Sequence, residues 1–170
     1  MNKIAKFEKV SFKQFKEDYQ KVFDNLDEDK INEIYDFIKL PTRATKGSAG
    51  YDFYMPFDYT LEPNQTLLVP SGIRCFIEDG YFLAIFPRSG LGYKYRLQLD
   101  NTVGIIDSDY YNALNEGHIM IKVTNDSRNN KSVVLEKNKG FVQGIFIPFG
   151  ITVDDNSNEN REGGFGSTDK

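Results

Sequence analysis

The chain has 170 residues, 39% of them hydrophobic, with 14 Phe and 10 Tyr, enough apolar material for one buried core and too little for two full domains. Lys and Arg total 21 against 25 Asp and Glu, a net charge of −4, and no basic run stands out, which argues against a nucleic-acid polymer as partner. A lone Cys75 permits no intrachain disulfide or thiolate zinc site and a lone His118 no multi-histidine site, so any metal is expected on oxygen ligands, which favours Mg²⁺.

The N-terminus, Met1-Asn2-Lys3-Ile4-Ala5-Lys6, lacks the hydrophobic region of a signal peptide, and no later stretch approaches the roughly 20 apolar residues of a membrane span. A cytoplasmic protein without a membrane partner is expected. Residues 1–40 read as a helical N-terminal extension. Phe12, Phe15, Tyr19, Val22 and Phe23 recur at helical spacing behind a capping box of Ser11 and Gln14. Ile31, Ile34, Tyr35 and Ile38 repeat the pattern after Asp27-Glu28-Asp29, acids that suit a helix N-terminus, and Lys39-Leu40-Pro41 stops it. Two amphipathic helices follow from this, packed on the body or offered to a protein partner.

From Tyr51 to Phe149 the period changes to short strand-like runs: Thr66–Val69, Ile73–Ile77, Tyr81–Phe86, Ile119–Thr124 and Val142–Ile147. Gly, Pro, Asn and Asp separate them, and strands without intervening helices predict a mainly β sandwich or barrel.

Within this region Asp52 follows Gly47-Ser48-Ala49-Gly50-Tyr51, as a turn acid or as the anchor of a hydrated cation. Pro87-Arg88-Ser89-Gly90-Leu91-Gly92 leaves a strand end, where Arg88, Ser89 and the amides around Gly90 suit phosphate oxygens; an ordinary turn reads the same way. In Gly104-Ile105-Ile106-Asp107-Ser108-Asp109-Tyr110 an apolar stretch runs into a carboxylate that either caps its own turn or deprotonates a water at a pocket mouth. His118 has no Ser or Cys paired with it in the pattern, so it reads as a polar loop residue and no nucleophilic triad is expected. Residues 154–170 are polar apart from Phe165, which lies between Gly164 and Gly166 with Arg161, Ser167 and Thr168 around it. That composition suits a solvated end or a lid that orders over a base and its phosphates.

In order, Ala49–Asp52, Pro87–Gly92, Asn101–Tyr110, Val142-Gln143-Gly144 and Arg161–Thr168 resemble the five motifs of the trimeric dUTPase family. The resemblance covers about residues 41–170 and leaves the N-terminal segment outside it. It implies a jelly-roll-like β-barrel over residues 41–152, a C-terminal arm over 153–170 that closes a neighbour's active site, and a homotrimer whose sites are each built from three subunits. The implied activity is hydrolysis of dUTP to dUMP and pyrophosphate with Mg²⁺, which limits uracil incorporation into DNA and supplies dUMP for dTMP synthesis. By resemblance Asn101 and the backbone of Gly104, Ile105 and Ile106 read uracil, Met120 adds to that pocket, and Tyr110 packs under the deoxyribose. Arg88, Ser89, Gly90 and Gln143 hold phosphates, Phe165 with Gly166 covers the uracil, and Arg161, Ser167 and Thr168 close on the γ-phosphate. Asp107 activates the attacking water and Asp52 anchors the cation through water.

Four features depart from the family pattern: Gly140 in place of an arginine three residues before Gln143, Asp169 in place of a glycine, a lengthened segment from Tyr111 to Ile119, and the N-terminal helices. The alternatives from other classes are a dCTP deaminase-like enzyme on a related fold and a regulatory nucleotide-binding protein. On the second, deleting residues 1–38 is expected to leave hydrolysis intact while abolishing partner binding.

Overall fold

The computed structural model describes residues 2–24 and 26–157. The chain opens with a strand, β1 (Ala5–Lys9), followed by helices α1 (Phe12–Val22) and α2 (Glu28–Asp36). Strands β2 (Thr42–Arg43), β3 (Tyr51–Tyr54), β4 (Tyr59–Leu61), β5 (Thr66–Pro70), β6 (Ile73–Ile77) and β7 (Tyr81–Pro87) come next, then a short helix α3 (Ser89–Tyr95). After β8 (Leu97–Leu99) and β9 (Gly104–Ile106) a 3₁₀ turn (Ser108–Asn112) leads to β10 (Met120–Asn125), β11 (Val133–Leu135) and β12 (Gly140–Pro148).

The class is mainly β, as expected. Among the described residues the strands form four antiparallel sheets, of which the largest has the order β2-β3-β12-β7-β9 and the next β5-β10-β8; β1 pairs β6 and β11 pairs β4. No closed barrel joins them among the described residues, so the barrel expectation reduces to sheets folded around one core. Alternation along β10, β8 and β11 places Leu97, Leu99, Ile121, Val123, Val133 and Leu135 inside.

The N-terminal expectation needs correction in two places. Ala5–Lys9 is a strand, registered Ala5 opposite Ile77 to Lys9 opposite Ile73. The two helices are not an appendage: Phe15 and Ile31 are 0% exposed and share the core with the strands. Ser11 caps α1 as the sequence indicates, its Oγ accepting from the Gln14 N–H at 3.1 Å; Asp27, read only as one of three acids at the start of α2, is its N-cap, with Oδ1 accepting from the Lys30 N–H at 2.9 Å. The Gln14 side chain does not complete a capping box; its amide donates to Asp18 at 2.8 Å.

His118 is likewise corrected. It is wholly buried, its Nε2 accepts from the Gly72 N–H at 2.8 Å, and its Nδ1 therefore carries the proton donated to Asp18 Oδ2 at 2.7 Å. Burial pushes the Asp18 carboxyl up, but hydrogen bonds from His118, Lys21 and Gln14 outweigh it and hold the group well below the usual carboxylate range. A depressed folded-state pKa means the stabilisation is complete above the unfolded value of about 3.9 and is lost as pH falls below it. Asp18→Asn is therefore expected to flatten the acid limb of a stability-versus-pH curve below about pH 4, read as urea midpoints.

Candidate active site

The largest sheet gathers three distant segments through its register. On β12, Gln143 lies opposite Asp52 of β3 on one side and Phe86 of β7 on the other, and Val142 lies opposite Pro87. Asp52, Arg88 and Gln143 thus meet although 36 and 55 positions separate them in the chain. Arg88 Nε lies 3.4 Å from Asp52 Oδ1, and the Gln143 amide donates to the Pro87 carbonyl at 3.4 Å. Arg88 is the N-cap of α3, so the expected turn after Pro87 is the entry to a short helix.

Arg88, Ser89 and Gly90 line a cavity of about 610 Å³, together with Lys94, Lys139 and Gly140. Its basic groups suit a polyanion. Gln143 lies behind it and is not part of its wall. Lys94 and Lys139 were missed in the sequence, although Lys139 adjoins the position where the family arginine is absent. A Cβ on Gly140 would stand 3.3 Å from both Arg88 Nη1 and the Asp52 side chain. Glycine here lets that ion pair lie against β12.

The second cavity, about 410 Å³, is bounded by Asn101, Gly104, Ile106 and Met120 with Leu68, Ile85, Leu99 and Asn115. Its wall is largely apolar and carries a few polar groups, the usual make-up of a small-molecule site. Strand β9 builds it: pairing with β7 sets Gly104 opposite Ile85 and Ile106 opposite Leu83. Gly104 and Ile106 point inward, while Ile105 is 47% exposed, which leaves only its backbone near the cavity. Asp100 adds charge at the edge, where a hydrogen bond from Thr124 and then Lys122 at 3.0 Å hold its carboxyl below the usual range.

Asp107 comes one residue after Ile106, half-buried, as the extended N-cap of the 3₁₀ turn (φ −79°, ψ 160°). Tyr110 closes that turn and is only 2% exposed. Its hydroxyl donates to the His118 carbonyl at 2.7 Å and accepts from the Asn115 amide at 2.8 Å, so it lines neither cavity and stands behind Asn115, which does. Asn115 was not foreseen; its only signal was the length of the segment that carries it. Arg161, Phe165, Gly166, Ser167 and Thr168 lie outside the described residues.

Burial pushes the Cys75 thiol up to about 12, which leaves no thiolate for nucleophilic chemistry. No described helix is long and apolar enough to cross a membrane. Among the described residues no group of three or more His, Cys, Asp or Glu side chains could hold a metal ion.

A family model described as dUTPase matches residues 36–169. The deoxyuridine 5'-triphosphate nucleotidohydrolase of Lactococcus lactis is 40% identical over 134 residues, covering 77% of this chain and 88% of that protein. Its counterpart from Paraburkholderia phymatum is 41% identical over 140 residues, covering 78% and 90%. Among solved structures, the dUTPase of Streptococcus mutans aligns with a TM-score of 0.62 at 33% identity, covering 86% of this chain and 97% of that one. A dUTPase mutant from phage phi11 of S. aureus, described with a structural Mg(II) ion, aligns at 0.60 with 19% identity over 75% of this chain and 94% of its own.

Proposed function

This chain belongs to the dUTPase family, and from that premise we propose how it hydrolyses dUTP to dUMP and pyrophosphate. The observation that carries the reading is that two motifs supply the walls of two complementary cavities, Asn101, Gly104 and Ile106 in a largely apolar one and Arg88, Ser89 and Gly90 in one with basic groups. The first takes uracil, with Asn101, Met120 and the backbone of Gly104, Ile105 and Ile106 around the base. The second takes phosphates, with Gln143 steadying the Pro87 carbonyl at its rear. Selection against a 2′-hydroxyl is assigned to Tyr110 together with the Asn115 that it holds.

The two cavities share no lining residue. A homotrimer in which the base cavity of one chain faces the phosphate cavity of another would let one nucleotide occupy both kinds, and that assembly is part of the proposal. The division into an N-terminal segment to residue 40, a nucleotide-binding body over 41–152 and an arm over 153–170 belongs to the same proposal, as does a cytoplasmic location.

At the junction Asp107 accepts a proton from a water whose oxygen bonds to the α-phosphorus; the bond from that phosphorus to the bridging oxygen breaks and pyrophosphate leaves with the electron pair. General-base help of this kind contributes about 10²–10⁴ in rate. Asp52, paired with Arg88 beside the phosphate cavity, and Glu136 in its wall are the carboxylates near it, a donor set that would fit a hydrated cation, with Asp52 as its anchor through water. Mg²⁺ held there would supply charge neutralisation for the triphosphate.

Arg161, Phe165, Gly166, Ser167 and Thr168 form the lid, with Phe165 on the base and the others toward the γ-phosphate. Truncation after Asp155 is expected to lower kcat/KM for dUTP about 10²-fold with little change in melting temperature, because the lid positions substrate and excludes water. Steady-state kinetics beside thermal unfolding check this. The function itself is tested by pyrophosphate release from dUTP, dCTP, dTTP and UTP with Mg²⁺ and with EDTA. A strong, Mg²⁺-dependent preference for dUTP is expected, and equal rates across the panel would sink the reading, whereas ammonia release from dCTP would favour a deaminase.

A further inference from the structure

Three pairs of residues join the N-terminal segment to the 3₁₀ turn and the loop that follows it to β10. Glu8 of β1 accepts from the Tyr111 hydroxyl. Ser11 donates to Glu116 twice, from its backbone N–H and from its hydroxyl, each at 2.7 Å. Asp18 of α1 accepts from His118 Nδ1 at 2.7 Å.

The loop held by these contacts is unfavourable by itself. Glu116 and Gly117 occupy the left-handed region in succession, at φ +57° and +69°, and only the second is a glycine. A Cβ on Gly117 would stand 2.7 Å from the Tyr110 carbonyl oxygen, so the chain doubles back hard on the 3₁₀ turn. Asn115 Oδ1 is buried and has no hydrogen-bond partner among the described residues. Conformations of this kind persist only when the surroundings over-determine them. Here the surroundings are β1 and the first turns of α1. The strained loop also supplies Asn115 and Ile119 to the base cavity and carries the His118 carbonyl that fixes Tyr110.

We infer that residues 8–18 form a brace that sets the wall of the base cavity, with Glu116 and Asp18 as positioning residues for nucleotide selection. This rests on reading that cavity as the uracil site. Two departures from the family pattern, the added N-terminal segment and the lengthened loop, become one feature, because each supplies what the other needs. Neither touches the reacting atoms; their effect passes through Asn115 and Tyr110.

The test uses the full chain. Glu116→Ala, assayed on dUTP, dTTP and UTP, is expected to raise KM for dUTP about tenfold and to reduce the preference for dUTP over dTTP by about tenfold, since small displacements of positioning groups carry factors of this size. kcat on dUTP changes by less than about threefold, because Asp107 and the phosphate cavity are untouched. Glu116→Gln keeps an oxygen acceptor for the Ser11 N–H and restores KM to within about twofold of the unaltered protein. Should Glu116→Ala fail to accumulate, Ser11→Ala removes one of the two bonds along with the α1 cap, and moves KM and preference the same way by about threefold, whereas loss of the cap alone lowers the melting temperature and leaves them unchanged. KM and preference unchanged in the folded variant, whether or not its melting temperature falls, would overturn the inference and make the contacts purely structural. Failure of the unaltered chain to prefer dUTP would instead remove the proposed function, and the two failures are separable in one assay.

Discussion

Asp107→Asn is expected to bind dUTP as well as the unaltered protein or more tightly, while kcat falls by about 10²–10⁴. Asparagine matches the aspartate in shape, so the extended N-cap geometry of the 3₁₀ turn and the β9 pairing that leads to it survive. The amide cannot accept the water's proton, and its neutrality removes repulsion toward the triphosphate, so ground-state binding does not suffer. A fall in kcat with Kd unchanged or lower, measured by single-turnover kinetics beside a binding titration, isolates loss of transition-state stabilisation. Near-normal kcat would show that another group takes the proton.

Deletion of residues 1–38 is expected to abolish cooperative folding, and hydrolysis with it, in contrast to what the sequence suggests. Val10, Phe15, Tyr19, Ile31 and Ile38 are all buried in the common core. Full burial of such a side chain is worth about 1.5–3 kcal/mol, so five together approach the whole net stability of a domain, about 5–15 kcal/mol. The deletion also strips β6 of its partner β1 and leaves the buried His118 without Asp18. Circular dichroism melting of the truncated chain decides the matter: a broad, non-cooperative transition is expected, and a sharp transition with dUTP hydrolysis retained would contradict it.

These two results mark where sequence reading succeeds and where it stops. Strands β5, β6, β7, β10 and β12 were legible to within two residues at each end, because alternation and turn residues are local signals, whereas the three-residue strands β8, β9 and β11 are too short to show a period. Helices α1 and α2 were legible from the helical spacing of their apolar residues, with the cap Ser11. Strand β1 was not, since only Ala5 and Phe7 alternate with charges and its identity comes from β6, some seventy positions away. His118 read as a loop residue because its partner, Asp18, lies 100 positions earlier in the chain. The motif residues Arg88, Gln143, Asn101 and Asp107 were recognisable from their neighbours in sequence. The convergence of Asp52, Arg88 and Gln143 is a matter of sheet register, which no local pattern encodes. Gly140 illustrates the difference: in sequence it is a missing arginine, and in the fold it lies against the Arg88–Asp52 pair, where a larger side chain would have to displace one of them.

The most direct test is a crystal structure of the protein with Mg²⁺ and a non-hydrolysable α,β-imido analogue of dUTP. The expected result is uracil between Asn101 and Met120 of one subunit, the triphosphate on Arg88 and Ser89 of another, and a water within about 2.6–3.2 Å of an Asp107 carboxylate oxygen, in line with the α-phosphorus. Asp107 remote from that phosphorus, or a nucleotide held entirely by one chain, would contradict the account.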